Sequence, residues 1–258
     1  MVSPAIFTKI IDSYLPEPHA SLLNRIIFVI SLKTSKVFYD ELKIVGLLHL
    51  VVLSGINITM LASLITSITG FFSKGLSTMI TILVIILFII FVGPQAPLVR
   101  AGIMSILTSV AIIFGRKNIA IYSLFLSIIF IAVFYPTWLT SISFYLSYGA
   151  TLGIMFFGQT QSKNVLISEL KLSIAAQIFT APIIFIFFKQ ISIISPLSNL
   201  LVAWIVPPLM VFGFLTALLG KINYLLGLAP AYICYGLLSY MIWVIKNLSM
   251  LPFIFIQF

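Results

Sequence analysis

This sequence contains few charged side chains for its length. Of its 258 residues, 7% are Asp, Glu, Lys or Arg, 62% are hydrophobic, and the mean hydropathy is +1.26. A soluble domain carries about 25% charged residues. Because so few polar side chains cannot cover the surface of a soluble particle, the composition excludes a soluble globular protein. It predicts a chain that is embedded in a membrane along most of its length.

Residues that ligate metals or carry out catalysis are also scarce. The chain has one cysteine, Cys234, and two histidines, His19 and His49. Four of its five acidic residues precede residue 42. Cys234 therefore has no disulfide partner within the chain, and no group of His, Cys, Asp and Glu has the spacing of a metal site. We predict a protein without a cofactor and without enzymatic activity.

The chain does contain a series of apolar segments long enough to cross a bilayer, which takes roughly 20 residues. Glycine, proline and lysine mark most of the boundaries between them. Residues 1–43 mix charged with apolar side chains and predict an interfacial, amphipathic lead-in. Residues 44–258 predict an all-α polytopic membrane domain, a bundle of about eight transmembrane helices at 44–68, 76–93, 97–114, 119–135, 140–158, 171–188, 196–219 and 223–248.

The seventh segment contains adjacent prolines near its middle. Pro207 and Pro208 each lack a backbone donor, and each ring clashes with the preceding helical turn. We therefore predict that they break this helix within the membrane. Broken helices occur there when protein or a water-filled cavity satisfies the freed backbone groups. A simple kinked span is the alternative.

Cations in the short loops predict the orientation of the chain. With eight spans, the loops on the opposite side hold Lys189, with Lys246 near the end of the last helix. The richer side receives Lys74, Arg116, Lys117, Lys163, Lys171 and Lys221. Since the side richer in Lys and Arg faces the cytoplasm, both chain termini are predicted to face outward.

Several polar residues fall within the predicted spans. His49 is the most informative, because nearly every neighbour in residues 44–58 is apolar. An ionisable group in hydrocarbon is costly, so it usually faces a bundle interior or a wet cavity. His49 and Asn57 would share a helix face, two steps of four residues apart. We predict a polar path that is lined or supported by His49, Ser54, Asn57, Arg100, Gln177 and Asn199.

Two other functions use the same residues. His49, with an ordinary pKa near 6.5, could carry protons in a proton- or solute-coupled transporter, although the spans lack acidic residues. Ser54 beside His49 suggests an intramembrane hydrolase, but Val52 occupies the position of the first glycine in a GxSxG nucleophile elbow. Arg100 has an alternative as well: it lies one turn after Pro97, so its stem could snorkel to the outer interface as an anchor.

Short motifs follow one another in a set order along the chain. Residues 46–55 read GLLHLVVLSG, residues 97–101 read PLVRA, residues 115–116 read GR, and residues 143–150 read SFYLSYGA. Together with Gln177, Pro182 and Asn199, they resemble the membrane domain of competence proteins of the ComEC type, from Asp12 to the last residue. Tyr145 and Asn57 depart from that pattern, in which glutamine and histidine are usual.

The resemblance implies a membrane channel for single-stranded DNA in the cytoplasmic (inner) membrane of a bacterium, active in natural transformation. As partners it implies membrane lipid, an outer-face DNA receptor, a cytoplasmic motor ATPase and single-strand-binding proteins. Larger members add an oligonucleotide-binding-type domain before this region, for which residues 1–43 are too short, and often a metallo-β-lactamase-like domain after it. The resemblance is therefore to the channel domain alone, and it leaves the oligomeric state open, a homo-oligomer included.

Overall fold

The computed structural model describes residues 4–30, 32, 34–47, 56–115, 120–158, 165–251 and 255–257. Within these ranges the regular elements are α-helices, a five-residue 3-10 helix at Pro136–Thr140 and one pair of three-residue strands. The helices are α1 Pro4–Tyr14, α2 His19–Phe28, α3 Lys36–Val45, α4 Ile56–Ile68, α5 Lys74–Val92, α6 Ala96–Ile113, α7 Ala120–Phe134, α8 Ile142–Phe157, α9 Val165–Phe188, α10 Ser195–Ala203, α11 Val206–Ile222 and α12 Tyr224–Ser249. The strands, β1 Gln190–Ser192 and β2 Phe255–Gln257, pair antiparallel.

Local sequence explains many of the helix ends. Ser73, Ser141 and Asn223 are N-caps, and each side chain accepts a backbone N–H from the first turn of α5, α8 or α12. Gly93 ends α5 with a φ of +98°, a conformation that favours glycine. Pro97 lies in the first turn of α6, where its missing N–H would have no helical partner.

Three helices are long and apolar enough to cross a membrane: Lys74–Val92, Ile167–Phe188 and Tyr224–Ser249. A fourth span results if α10 and α11 together form one broken span. Shorter apolar helices, of 10–17 residues, make up much of the remainder. The predicted all-helical membrane fold is confirmed, whereas the count of about eight transmembrane helices is not.

The first predicted span, residues 44–68, is not one continuous helix. Helix α3 ends at Val45, and Gly46 adopts a left-handed conformation with a φ of +76°, so that its N–H returns to the carbonyls of Leu42 and Lys43. The next helix within the described residues begins at Ile56. The prediction was wrong at Gly46 because it relied on the apolar character of the segment, which does not show whether a glycine within it ends a helix. His49 and Ser54 lie outside the described residues.

The seventh predicted span consists of two helices. Helices α10 and α11 are bent by 48° relative to each other across Trp204 and Ile205. Pro207 and Pro208 lie in the first turn of α11, where a helix has unused N–H groups in any case. The bend therefore precedes the two prolines, and the helix that contains them is regular.

Helices α11 and α12 form a hairpin that α1, α2 and α3 pack against. Eight of the ten residues of α2 are buried. Leu23 and Ile27 reach Gly213 near the middle of α11, where an added Cβ would lie 2.2 Å from the Ile27 Cδ1 atom. His19 stacks on Tyr235 near the middle of α12. Part of the predicted lead-in, residues 1–43, is thus enclosed by protein; its position relative to the membrane interface stays a prediction.

Candidate functional site

Arg100 lies in the fifth position of α6 and is held by α8. Its Nε donates to the Ser147 hydroxyl at 2.8 Å, and its Nη1 donates to the Thr151 hydroxyl at 2.7 Å. Nη1 also approaches the Met104 sulfur at 3.5 Å. Among the described residues, no carboxylate contacts Arg100. The guanidinium charge is therefore solvated by hydroxyl groups rather than balanced by an anion.

The direction of the Arg100 side chain bears on its alternative role as an anchor. Helical side chains ordinarily lean toward the N-terminal end of their helix. Arg100 instead reaches Met104, one turn further along α6, and Thr151 in the middle of α8. A snorkelling stem would extend toward the nearer helix end. The geometry places the guanidinium between α6 and α8, away from the start of α6.

Two opposite faces of α8 explain why the hydroxyls are so placed. Ser147 and Thr151 are one turn apart on the face that meets α6. Gly149 and Gly153 are one turn apart on the face that meets α9. A Cβ on Gly153 would lie 2.1 Å from the carbonyl oxygen of Ala175. The backbones of α8 and α9 therefore touch, and this contact sets the position of the Arg100 partners.

The Arg100 cluster, which we define as Arg100, Ser147, Tyr148 and Thr151, extends to α7. The Arg100 Cζ lies 5.8 Å from the centroid of the Tyr148 ring, within the range of a cation–π contact. Ser127 donates to the Leu124 carbonyl, so its short contact of 2.7 Å with Tyr148 uses the phenolic proton. The ring and the hydroxyls that contact the cation thus all come from α8, and Tyr148 links them to Ser127 on α7.

A second polar cluster joins the end of α3 to the start of α10. We call it the α3–α10 junction: Ser192, Ser195 and Ser198 donate to the carbonyls of Ile44, Gly46 and Val45 at 2.7, 3.4 and 2.8 Å. A helix leaves its last carbonyls without partners, and Val45, the last residue of α3, is buried. The Ser198 hydroxyl also lies 2.9 Å from the Ser195 carbonyl, so its one proton is shared between two acceptors. The negative end of the α3 dipole also meets the positive end of α10. The junction therefore caps the end of α3.

Gly46 allows the end of α3 to lie this close to Ser192 and Ser195. A Cβ there would lie 2.6 Å from the Ser195 Cβ and 2.9 Å from the Ser192 Cβ. Both the left-handed φ and the lack of space require glycine. The glycine of the GLLHL motif is therefore explained by helix capping.

Gln177 and Asn199 line the same seam between α9 and the junction. Gln177 donates to the Ser192 carbonyl at 3.0 Å, and Asn199 donates to the Ser173 hydroxyl at 3.0 Å. Ser173 and Gln177 are one turn apart on α9. The Asn199 Oδ1 is buried and has no hydrogen-bond partner in the described part of the chain. Both amides act here as links between elements.

Asn57 belongs to a third cluster, at the end of α2. The buried Asn57 side chain donates to the Ile26 carbonyl. Arg25 donates to the carbonyls of Val29 and Ile30 at 3.2 and 2.7 Å, and Gln95 adds a longer bond of 3.4 Å to Val29. These donors satisfy the Ile26 carbonyl in the last turn of α2 and the Val29 and Ile30 carbonyls just beyond its end.

The predicted path residues therefore fall into separate groups. Gln177 and Asn199 share one seam, Asn57 caps α2, and Arg100 is held between α6 and α8. Within the described ranges, Arg100 forms no hydrogen bond with the other three. Sequence reasoning missed the partners Ser147 and Thr151, whose spacing of four residues places them on one helix face. It also missed the serines at 192, 195 and 198, which repeat every three residues.

His19 was not a predicted site residue either. Its Nε2 lies 3.0 Å from the Ser239 hydroxyl, and its ring stacks on Tyr235 with 4.7 Å between centroids. Burial lowers the pKa of His19; Glu17 opposes this shift and Lys246 adds to it. The neutral imidazole is therefore the form that the folded protein favours.

Comparison with known proteins gives one match. A family model described as "Competence protein" matches residues 32–258. This range includes the Arg100 cluster, the α3–α10 junction and Asn57, and it begins after α2. Neither a curated protein nor a solved structure matches the chain.

Proposed function

Because this chain belongs to the competence protein family, we propose that it forms a channel for single-stranded DNA in the cytoplasmic membrane of a bacterium during natural transformation. The family match agrees with the ComEC-type resemblance of the GLLHL and PLVRA motifs. The helices that are long enough to cross a membrane would form the wall of such a channel.

The observation that carries the proposal is the environment of Arg100. A cation within an apolar helix bundle is costly unless a partner or a ligand compensates it. Arg100 has hydroxyl partners and, among the described residues, no carboxylate. A strand of DNA presents one phosphate charge per nucleotide, which is the charge that this site lacks.

The charge distribution supports the same proposal. From residue 44 onward, Glu169 is the only acidic residue of the sequence, and it is opposed by nine lysines and arginines. A route for a polyanion benefits from the absence of acids, because carboxylates would repel phosphates. The channel would have no chemistry of its own. Its proposed partners are an outer-face DNA receptor, a cytoplasmic motor ATPase and single-strand-binding proteins.

Substitution of Arg100 tests the proposal in cells that carry this protein, compared with cells from which its gene is deleted. Arg100→Gln removes the charge and is expected to abolish entry of labelled DNA. Arg100→Lys keeps the charge but loses the planar fork of donors, so part of the uptake is expected to remain. Lys171→Gln, on the exposed surface of α9, is the matched control and should leave uptake near normal.

Entry of labelled DNA and membrane levels of each variant are measured together. If cells without the protein take up DNA as well as cells with it, the proposed function is wrong. If both Arg100 variants take up DNA normally, Arg100 is not part of the route.

A further inference from the structure

We propose that the Arg100 cluster is a binding site for a tetrahedral oxyanion, a phosphodiester, that is recognised by its charge and oxygens and not by a base. Its assignment to DNA rests on the proposed function. The kind of ligand that the site can bind follows from the hydrogen-bond donors that have no acceptor within the described part of the protein.

In the cluster, the hydroxyls of Thr151 and Tyr148 already donate hydrogen bonds within the protein, and the Ser147 hydroxyl does not do so within the described ranges. Thr151 donates to the Ser147 carbonyl at 2.9 Å, one turn back along α8. Tyr148 donates to Ser127, whose own proton goes to Leu124. The Ser147 hydroxyl accepts from Arg100, and no acceptor for its proton lies among the described residues.

The guanidinium is likewise only partly used. Arginine has five N–H donors. The Nε donor goes to Ser147, and the two Nη1 donors go to Thr151 and Met104. The two Nη2 donors have no acceptor in the described part of the chain. Together with the Ser147 proton, three donors remain around one positive charge.

A ligand that complements this set must accept several hydrogen bonds and carry negative charge. A phosphodiester meets both conditions, and arginine binds phosphate oxygens through two parallel N–H groups. The Arg100 side chain is half-buried. The Gly153 contact between α8 and α9 holds Ser147 and Thr151 in place before any ligand arrives. The same chemistry also suits the phosphate of a lipid headgroup.

Binding measurements on the purified full chain in a maltoside detergent, which carries no phosphate, test the site. The probe is a fluorescent single-stranded phosphodiester oligomer without bases. The wild type should bind it in a salt-dependent manner. Arg100→Gln should weaken binding by at least about tenfold, as expected for hydrogen bonds to a charged group, and Arg100→Lys should be intermediate.

A matched serine pair separates the site from general packing. Ser147→Ala removes the free donor and is expected to weaken binding by roughly twofold to tenfold. Ser127→Ala removes a hydroxyl of the same network that does not contact Arg100 and should leave binding unchanged. Gel filtration of every variant shows that it is folded. Equal binding by the wild type and Arg100→Gln would overturn the proposal, as would binding that requires bases.

Mass spectrometry of the same preparations distinguishes the two sources of phosphate. An anionic phospholipid that copurifies with the wild type but not with Arg100→Gln supports the oxyanion site with a lipid as its occupant. Arg100-dependent binding of the oligomer by a protein that does not support DNA entry would uphold the site and contradict the proposed function. If DNA entry depends on Arg100 but binding of the oligomer does not, the proposed function is upheld and the binding site is contradicted.

Discussion

The α3–α10 junction and the Arg100 cluster both surround a polar group with hydroxyls, but they use opposite properties of the hydroxyl. In the junction, Ser192, Ser195 and Ser198 donate hydrogen bonds to backbone carbonyls. In the Arg100 cluster, Ser147 and Thr151 accept hydrogen bonds from a guanidinium. The junction satisfies the end of a helix, whereas the cluster keeps donors in excess.

This difference separates a structural role from a binding role more clearly than polarity does. A buried polar group costs free energy unless it is paired, and pairing within the protein removes that cost. Gln177 and Asn57 are tied to backbone carbonyls, and these bonds account for their presence in apolar surroundings. Arg100 retains both charge and free donors. Changes in the junction should therefore alter stability, and changes around Arg100 should alter binding.

The largest effect on stability is expected from Gly46→Ala in the junction. The left-handed φ of +76° and the collision with Ser195 together should lower the free energy of unfolding by about 3 kcal/mol or more. Gly115→Ala is the control, since Gly115 has a φ of +63° and nothing within 4 Å of its added Cβ. Unfolding in detergent measures both. Equal losses in the two variants would show that the close contact has no energetic weight.

Gly153→Ala tests the support of the Arg100 cluster. Its Cβ would collide with the Ala175 carbonyl, so α8 must move away from α9 at a cost of about 2 kcal/mol. Because α8 carries Ser147, binding of the base-free oligomer should weaken as well. Gly236→Ala, in a helix with open space around the added Cβ, should leave stability unchanged or raise it. If Gly153→Ala loses stability but binds the oligomer normally, the α8–α9 contact does not support the Arg100 cluster.

Ser198→Ala removes one cap of the junction without adding bulk. The buried Val45 carbonyl loses its 2.8 Å bond, which should cost about 1 kcal/mol. The oligomer affinity of the folded protein should not change. Ser249→Ala, which removes an exposed bond of 2.8 Å to the Lys246 carbonyl, should cost less. An altered oligomer affinity for Ser198→Ala would contradict the division between the two clusters.

The smallest effect concerns His19, for which burial favours the neutral imidazole. The pKa of His19 is lowered in the folded protein, chiefly by burial, so the unfolded chain binds the proton more readily. The stabilisation is complete above the ordinary pKa of about 6.5 and is lost as pH falls below it. Unfolding measured from pH 8 down to about pH 5 should show this decline, and His19→Phe, which keeps a ring against Tyr235, should reduce it. If stability declines equally in the wild type and in His19→Phe, the decline comes from titratable groups other than His19.

Much of the fold follows from short stretches of sequence. Apolar length predicted helices at 76–93, 97–114, 119–135 and 140–158, and the structure has helices within one to two residues of these ends. Caps such as Ser73 and Ser141 are local signals, and the ordered motifs indicated the family that the comparison confirms. The interruption at Gly46 was missed, and Ser192 and Ser195, which bond the carbonyls at this helix end, lie almost 150 residues away along the chain.

The sequence by itself determined the membrane class, most helix boundaries and the family, because hydropathy, capping and motifs act over a few residues. Only the tertiary structure decided which polar residues cap helices and which retain free donors. Arg100 and its partners are 47 and 51 residues apart, and their meeting depends on how α8 packs between α6 and α9. A hydrogen bond is satisfied by whichever group lies within about 3 Å, and that distance is set by the packing of helices.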